Sequence, residues 1–206
     1  MKVLLINGSP HKKGCTYTAL KEVADTLEDL GIETEFAWVG AKPVAGCIAC
    51  GTCKNTGHCA FNVDAVNSVI DKLPEIDGIV VGSPVYYAGP SGQIQAFLDR
   101  LFYAGSGFAG KVGAAVVSCR RGGATSTFDV LNKYFSISNM PIATSQYWNQ
   151  VHGNTPEEVR QDEEGLQTMR TLGRNMAWML ACIDAGKAAG IEYPQHETPI
   201  KTNFIR

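Results

Sequence analysis

Four of the chain's seven cysteines fall in thirteen residues: Cys47, Cys50, Cys53 and Cys59, in the run G-C-I-A-C-G-T-C-K-N-T-G-H-C. Thiolates ligate soft metals, and closely spaced ones can surround an iron–sulfur cluster. The C-x2-C-x2-C-x5-C spacing leaves three readings open. The four thiols ligate a 4Fe-4S cluster, or they remain loop thiols, reduced or mutually oxidised, or they hold zinc. All-cysteine zinc sites more often pair two separated C-x2-4-C units. The fourth cysteine precedes Ala60 where bacterial ferredoxin runs have proline, and its spacer is longer than theirs.

Elements on either side must position this run. Val3 to Ile6 reads as a short buried strand, too short for the apolar core of a signal peptide. Leu20, Val23, Ala24, Leu27 and Leu30 recur at helical spacing, with Gly31 as the stop. Thr34 to Val39 reads as a second strand. The cysteine-rich segment, about residues 44–62, interrupts the pattern, and Val66, Val69, Ile70 and Leu73 resume it as a helix. Gly78 to Gly82 is a third strand, Ile94 to Leu101 a helix, Val112 to Ser118 a fourth strand, and Phe128 to Phe135 a helix. Pro141 to Ser145 is a weak fifth strand. One long helix is expected from about Thr155 to Ala189, with Met169, Met176 and Met179 in its apolar stripe and Cys182 buried, then a tail over about 190–206. Strand–helix alternation implies one α/β domain with a parallel sheet covered on both faces. Its ligands are expected at the carboxyl ends of the strands.

Three loops at such ends carry suitable residues. The first, Gly8 to Thr18, leaves a buried strand and enters a helix. Its amides suit a phosphate, with hydroxyls at Ser9, Thr16 and Thr18 and charge from His11, Lys12 or Lys13. It is neither a dinucleotide fingerprint nor a Walker loop, and an ordinary cap at Thr16 with solvated lysines is the plainer alternative. The second, Gly82 to Ser91, sets Tyr86 and Tyr87 between prolines and glycines, a wall suited to a flat heterocycle; one of the two is expected to be structural. The third, Ser118 to Thr125, has Gly122 and Gly123, where backbone can approach a ligand closely; taken alone, a helix-entry turn with Arg120 and Arg121 solvated is the plainer reading. Together they offer what FMN requires: phosphate donors, a ring wall and backbone amides.

The ordered set G-S-P-H-K-K-G-C-T, S-P-V-Y-Y-A-G-P-S with downstream F-L-D-R, and S-C-R-R-G-G resembles the flavodoxin-like NAD(P)H-dependent FMN reductases. The spacing around Cys47 is similar to their iron–sulfur flavoprotein branch. The resemblance implies a flavodoxin-like three-layer sandwich with a five-stranded parallel sheet, non-covalent FMN, and a homodimer or homotetramer. Carried onto matching positions, Ser9, His11, Lys12, Thr16, Tyr17 and Thr18 form the phosphate loop. Pro84, Val85, Tyr86 and Tyr87 line the ring, with Ser118, Arg120, Gly122 and Gly123 beside it. His11 stands where the family often has Arg, and Cys15 where it often has Asn. The implied activity is ping-pong hydride transfer from NAD(P)H through FMN to a quinone or similar small acceptor, with no protein acid or base. The alternatives are electron transfer between FMN, a four-iron cluster and a ferredoxin-type partner, or a non-enzymatic redox or metal sensor.

The bulk properties bound these readings. A formal charge of -2 over 206 residues argues against nucleic acid as partner. No apolar run is long enough to span a membrane. A cytoplasmic location is the expectation, and there an odd cysteine count fits reduced thiols better than a disulfide framework. Tyr147, Trp148 and His152 either close the flavin pocket or serve packing or an interface, the second being the more common use of such residues. Nothing resembles a Ser-His-Asp hydrolase set.

Overall fold

The computed structural model describes residues 1–198, 200–202 and 204; positions 199, 203, 205 and 206 of the expected tail lie outside the described residues. In chain order the elements are β1 (Lys2–Asn7), α1 (Cys15–Asp29), β2 (Glu33–Trp38), α2 (Cys53–Thr56), α3 (Val66–Lys72), β3 (Gly78–Tyr86), β4 (Gly89–Pro90), α4 (Gly92–Ala104), β5 (Val112–Cys119), α5 (Ala124–Ile137), β6 (Gln150–His152), α6 (Pro156–Val159) and α7 (Glu163–Ala188). Five strands pair in parallel in the order β2-β1-β3-β5-β6, and β4 pairs antiparallel with the end of β3. This is the expected α/β, flavodoxin-like arrangement.

Alternation along β1 assigns the two faces. Leu4 and Ile6 point into a core shared with Val69 of α3, Phe97 of α4 and Phe135 of α5. Val3 and Leu5 point the other way, against Leu20 of α1 and Met169, Leu172 and Met176 of α7. Helix α1 stops where expected. Gly31 takes φ +78°, its amide bonds the Glu28 carbonyl and the Ile32 amide bonds that of Leu27, a Schellman closure.

Four expectations are corrected. β3 runs on to Tyr86, because its ladder with β5 continues to Pro84 opposite Ser118 and its end then pairs with β4. The weak strand at Pro141–Ser145 keeps only a single bridge, Gly113 to Ile142. The chain then bulges toward α7, where Asn175 donates to the Thr144 carbonyl and Thr171 to Gln146, and rejoins the sheet as β6. The long helix divides, since Thr155 caps α6 and Asp162 separately caps α7. Cys182 is exposed; it lies roughly 240° around the helix from the buried Met176 at ~100° per residue.

Candidate functional site

The three strand-end loops are bonded to one another. The Gly8 amide donates to the Gly82 carbonyl at 2.8 Å, and Ser91 Oγ, which also caps α4, donates to the Gly8 carbonyl at 2.8 Å. Thr16 Oγ1 and Ser118 Oγ share a buried hydrogen bond of 2.8 Å, joining the first loop to the third. Ser126 Oγ donates to the Ala88 carbonyl at 2.5 Å, joining the third to the second. A side chain on Gly8 would put its Cβ 2.7 Å from Ile94 and 2.8 Å from the Gly82 oxygen, so the loops meet only because this position is glycine.

Within the first loop, Asn7 Oδ1 accepts from the Ser9 amide and Ser9 Oγ from the His11 amide, each at 3.1 Å. Gly14, not Thr16, is the cap residue of α1, and no side chain caps the helix. The first-turn amides therefore have no side-chain partner at the cap, which suits an anion. His11, Lys12 and Lys13 are exposed around it, and Lys12 Nζ lies 5.6 Å from the Trp38 ring centroid. Thr16 and Ser118 bond each other and Thr18 Oγ1 donates to the Gly14 carbonyl, so these hydroxyls brace the loop. Tyr17 packs on Phe36, with ring centroids 5.2 Å apart.

In the second loop, Pro84 and Val85 are half-buried and Tyr86 and Tyr87 both exposed, so neither is the buried structural aromatic expected there. Burial of part of the Tyr86 ring pushes its hydroxyl pKa up. Tyr87 takes φ +63°, a left-handed conformation that costs a bulky residue energy. In the third loop, Arg120 is exposed, Gly122 has open space where a Cβ would be, and Gly123 takes φ +89° against Val85. Donors at a helix start, an exposed aromatic wall and accessible glycine backbone thus meet on one rim, a set that fits FMN.

The cysteine loop forms a second centre. Cys47, Cys50, Cys53 and Cys59 all line one small pocket, with room of about 20 Å³, together with Phe61, Arg100 and Tyr103. Left-handed turns at Ala49 and Gly51 flank Cys50. Hydrogen bonding with Thr52, side chain first and backbone second, lowers the Cys50 thiol pKa. Asn67 of α3 clamps Cys59 at two points, accepting from its amide at 2.8 Å and donating to its carbonyl at 2.9 Å. His58 pairs with Asp71 at 2.7 Å, and this carboxylate raises the imidazole pKa. Among the described residues, no three His, Cys, Asp or Glu side chains stand close enough to hold a metal ion as they lie. The four thiols line one pocket without converging on a point.

Arg100 is the residue that sequence reasoning missed. It ends the quoted F-L-D-R motif without an assigned role, yet its side chain is 0% exposed and it ion-pairs with Asp64. The available signal was its place on α4 among Phe97, Leu101 and Ala104, since an arginine on a buried helix face needs a buried partner. The same helix joins the two centres. Ser91 at its start touches the first loop, and Arg100 lies about 13 Å further along the axis at ~1.5 Å per residue. Tyr147 and Trp148 stack edge to face at 4.8 Å and stay half exposed, while His152 lies within β6 and its amide donates to Asp162.

Residues 1–155 match the family model described as NADPH-dependent FMN reductase. The chain is 35% identical over 192 residues to an iron-sulfur flavoprotein of Methanocaldococcus jannaschii, covering 89% of this chain and 99% of that protein. It is 32% identical over 190 residues to an iron-sulfur flavoprotein of Archaeoglobus fulgidus, covering 85% and 95%. Among solved structures, RosB with bound 8-demethyl-8-formylriboflavin-5'-phosphate superposes with TM-score 0.69 at 16% identity, covering 99% of this chain and 92% of that one. A flavodoxin from the domain Archaea superposes with TM-score 0.59 at 16% identity, covering 88% and 99%. At these identities the two structures speak for the fold alone.

Proposed function

The chain belongs to the NADPH-dependent FMN reductase family, in its iron–sulfur flavoprotein branch, and on that premise we propose that it passes electrons between FMN and a four-iron cluster held by Cys47, Cys50, Cys53 and Cys59, with a ferredoxin-type protein as partner. The observation that carries this reading is the pocket lined by all four thiols of one short loop. A single zinc ion asks for four sulfurs about 2.3 Å from one point. A 4Fe-4S cluster asks for four thiolates, one at each iron, and the likeness to proteins named iron-sulfur flavoproteins favours the second.

When bound, FMN supplies exchange between two-electron and one-electron chemistry. The protein's residues bind and orient it. The α1 amides and the charge of His11, Lys12 and Lys13 take the phosphate, Pro84 to Tyr87 take the ring face, and Gly122 and Gly123 present backbone to the ring edge. Cys47, Cys50, Cys53 and Cys59 are the thiolates that would hold the cluster.

A second reading, NAD(P)H-dependent reduction of small acceptors such as quinones, is favoured by the family description and by Tyr86 and Tyr87, which leave a flat face open to a nicotinamide. Stopped-flow absorbance separates the two. Bleaching of the flavin by reduced ferredoxin but by neither NADH nor NADPH supports cluster-linked transfer. Millisecond-to-second bleaching by either nucleotide, with no response to ferredoxin, sinks it in favour of the reductase. A homodimer or homotetramer belongs to the same proposal, supported by the exposed Trp148 and Trp178, and sedimentation of the holoprotein tests it.

A further inference from the structure

We propose that Arg100 is the positioning residue of the cysteine loop and that its Nε–H, aimed at Cys59, sets the reduction potential of the group that this sulfur ligates; the inference rests on the cluster reading above. Guanidinium has five N–H donors in a fixed fork, and here all are used. Nε donates to Cys59 Sγ at 3.1 Å. Nη1 donates to the Ala45 carbonyl at 3.3 Å and to Asp64. Nη2 donates to the Phe61 carbonyl at 3.0 Å and to Asp64 Oδ1 at 3.2 Å. The Phe61 ring centroid lies 5.2 Å away. One buried side chain thus gathers the segment before Cys47 and the segment around Cys59 onto α4.

Holding the loop needs only the Asp64 pair and the two carbonyls. The fifth donor faces sulfur, and it is this contact that gives Arg100 a role beyond support. A hydrogen bond to a ligating sulfur stabilises the charge that gathers there on reduction, so it raises the potential. Lysine would keep a positive charge opposite Asp64, but as a point charge it lacks the fork that reaches Cys59 and both carbonyls together.

The test compares the wild-type holoprotein with R100K and D64N, purified without oxygen, by FMN content, iron content and an EPR-monitored redox titration. R100K is expected to keep its FMN, because the FMN loops are held by other contacts. Its cluster should be about tenfold less reduced at a given potential, a shift of about 59 mV for a one-electron couple. D64N should release iron faster to a chelator, and its potential should not fall, since the guanidinium and its positive charge remain beside Cys59. R100K with full iron and the wild-type potential overturns the inference. So does loss of FMN along with iron in R100K, which would make Arg100 a support of the whole fold, and so does equal iron loss in both variants. Iron missing from purified R100K but present in purified D64N, with FMN kept in both, supports the positioning role. Wild-type protein without iron removes the cluster reading and this inference together, whereas an unshifted R100K leaves the cluster reading standing.

Discussion

Two of the contacts that join the three strand-end loops can each be tested at single residues. Gly8 lies where any side chain meets Ile94 and the Gly82 carbonyl inside contact distance. Gly8→Val should displace the first loop and weaken FMN binding at least tenfold, about 1.4 kcal/mol, in a fluorescence titration; unchanged affinity would show that the loop does not hold the phosphate. The Thr16–Ser118 pair behaves differently. Ser118→Ala leaves the buried Thr16 hydroxyl without its partner and should cost about 1–3 kcal/mol in urea unfolding. The double variant T16V/S118A, which removes both hydroxyls, should recover most of that loss, because two apolar groups of similar shape need no partner.

At the scale of elements, the break between β6 and α7 hangs on one carboxylate. Asp162 accepts from the Gly165 amide at 2.9 Å as the cap of α7, and from the His152 amide at the end of β6 at 2.6 Å. Asp162→Ala should cost about 1–2 kcal/mol with an unchanged urea m-value; a cost near zero would mean that the cap is idle. The β1–β2 edge gives a pH dependence. Lys72 first and Lys2 second hold the Glu35 carboxyl low, so its support is whole above the ordinary glutamate pKa of about 4.3 and is lost as pH falls below it. Lys2, pushed up to about 12 by Glu33 and then Glu35, gives support that is whole below the ordinary lysine value and lost as pH climbs through about 12. Glu35→Gln should flatten the acid limb of thermal midpoint against pH, and an unaltered acid limb would remove Glu35 from the account. Most of these elements were legible in the sequence, because β1, β3 and β5 are apolar runs and α1 and α4 have helical spacing. The bulge before β6 was not legible, since it depends on Asn175 and Thr171 reaching back from α7 to chain about 25–30 residues earlier. The division of the last helix was partly legible. Asp162 followed by Glu163 and Glu164 is a helix start, but the apolar pattern runs across it. The cysteine pocket itself depends on Arg100, 36–55 residues away from the groups it binds, and spacing within the run carries no trace of that contact.

Over the whole molecule, two centres share one scaffold and one helix. The three strand-end loops meet at the start of α4 and the thiol pocket lies at its later turns, with the parallel sheet fixing the first and Arg100 the second. Among the described residues, no helix is long and apolar enough to cross a membrane. The centres should be separable: replacing Cys47, Cys50, Cys53 and Cys59 together by serine should abolish iron binding and leave FMN affinity within about twofold, because none of the bonds joining the flavin loops involves these thiols. Coupled loss of both groups would mean that the cysteine segment helps to build the flavin site. The central claim, FMN and a four-iron cluster in the same chain, is met most directly by the visible spectrum of anaerobically purified protein with iron, sulfide and FMN counted in the same sample. The account predicts flavin bands over a broad brown absorption, with about four irons and four sulfides per FMN. Flavin bands alone, with neither iron nor sulfide, would contradict it.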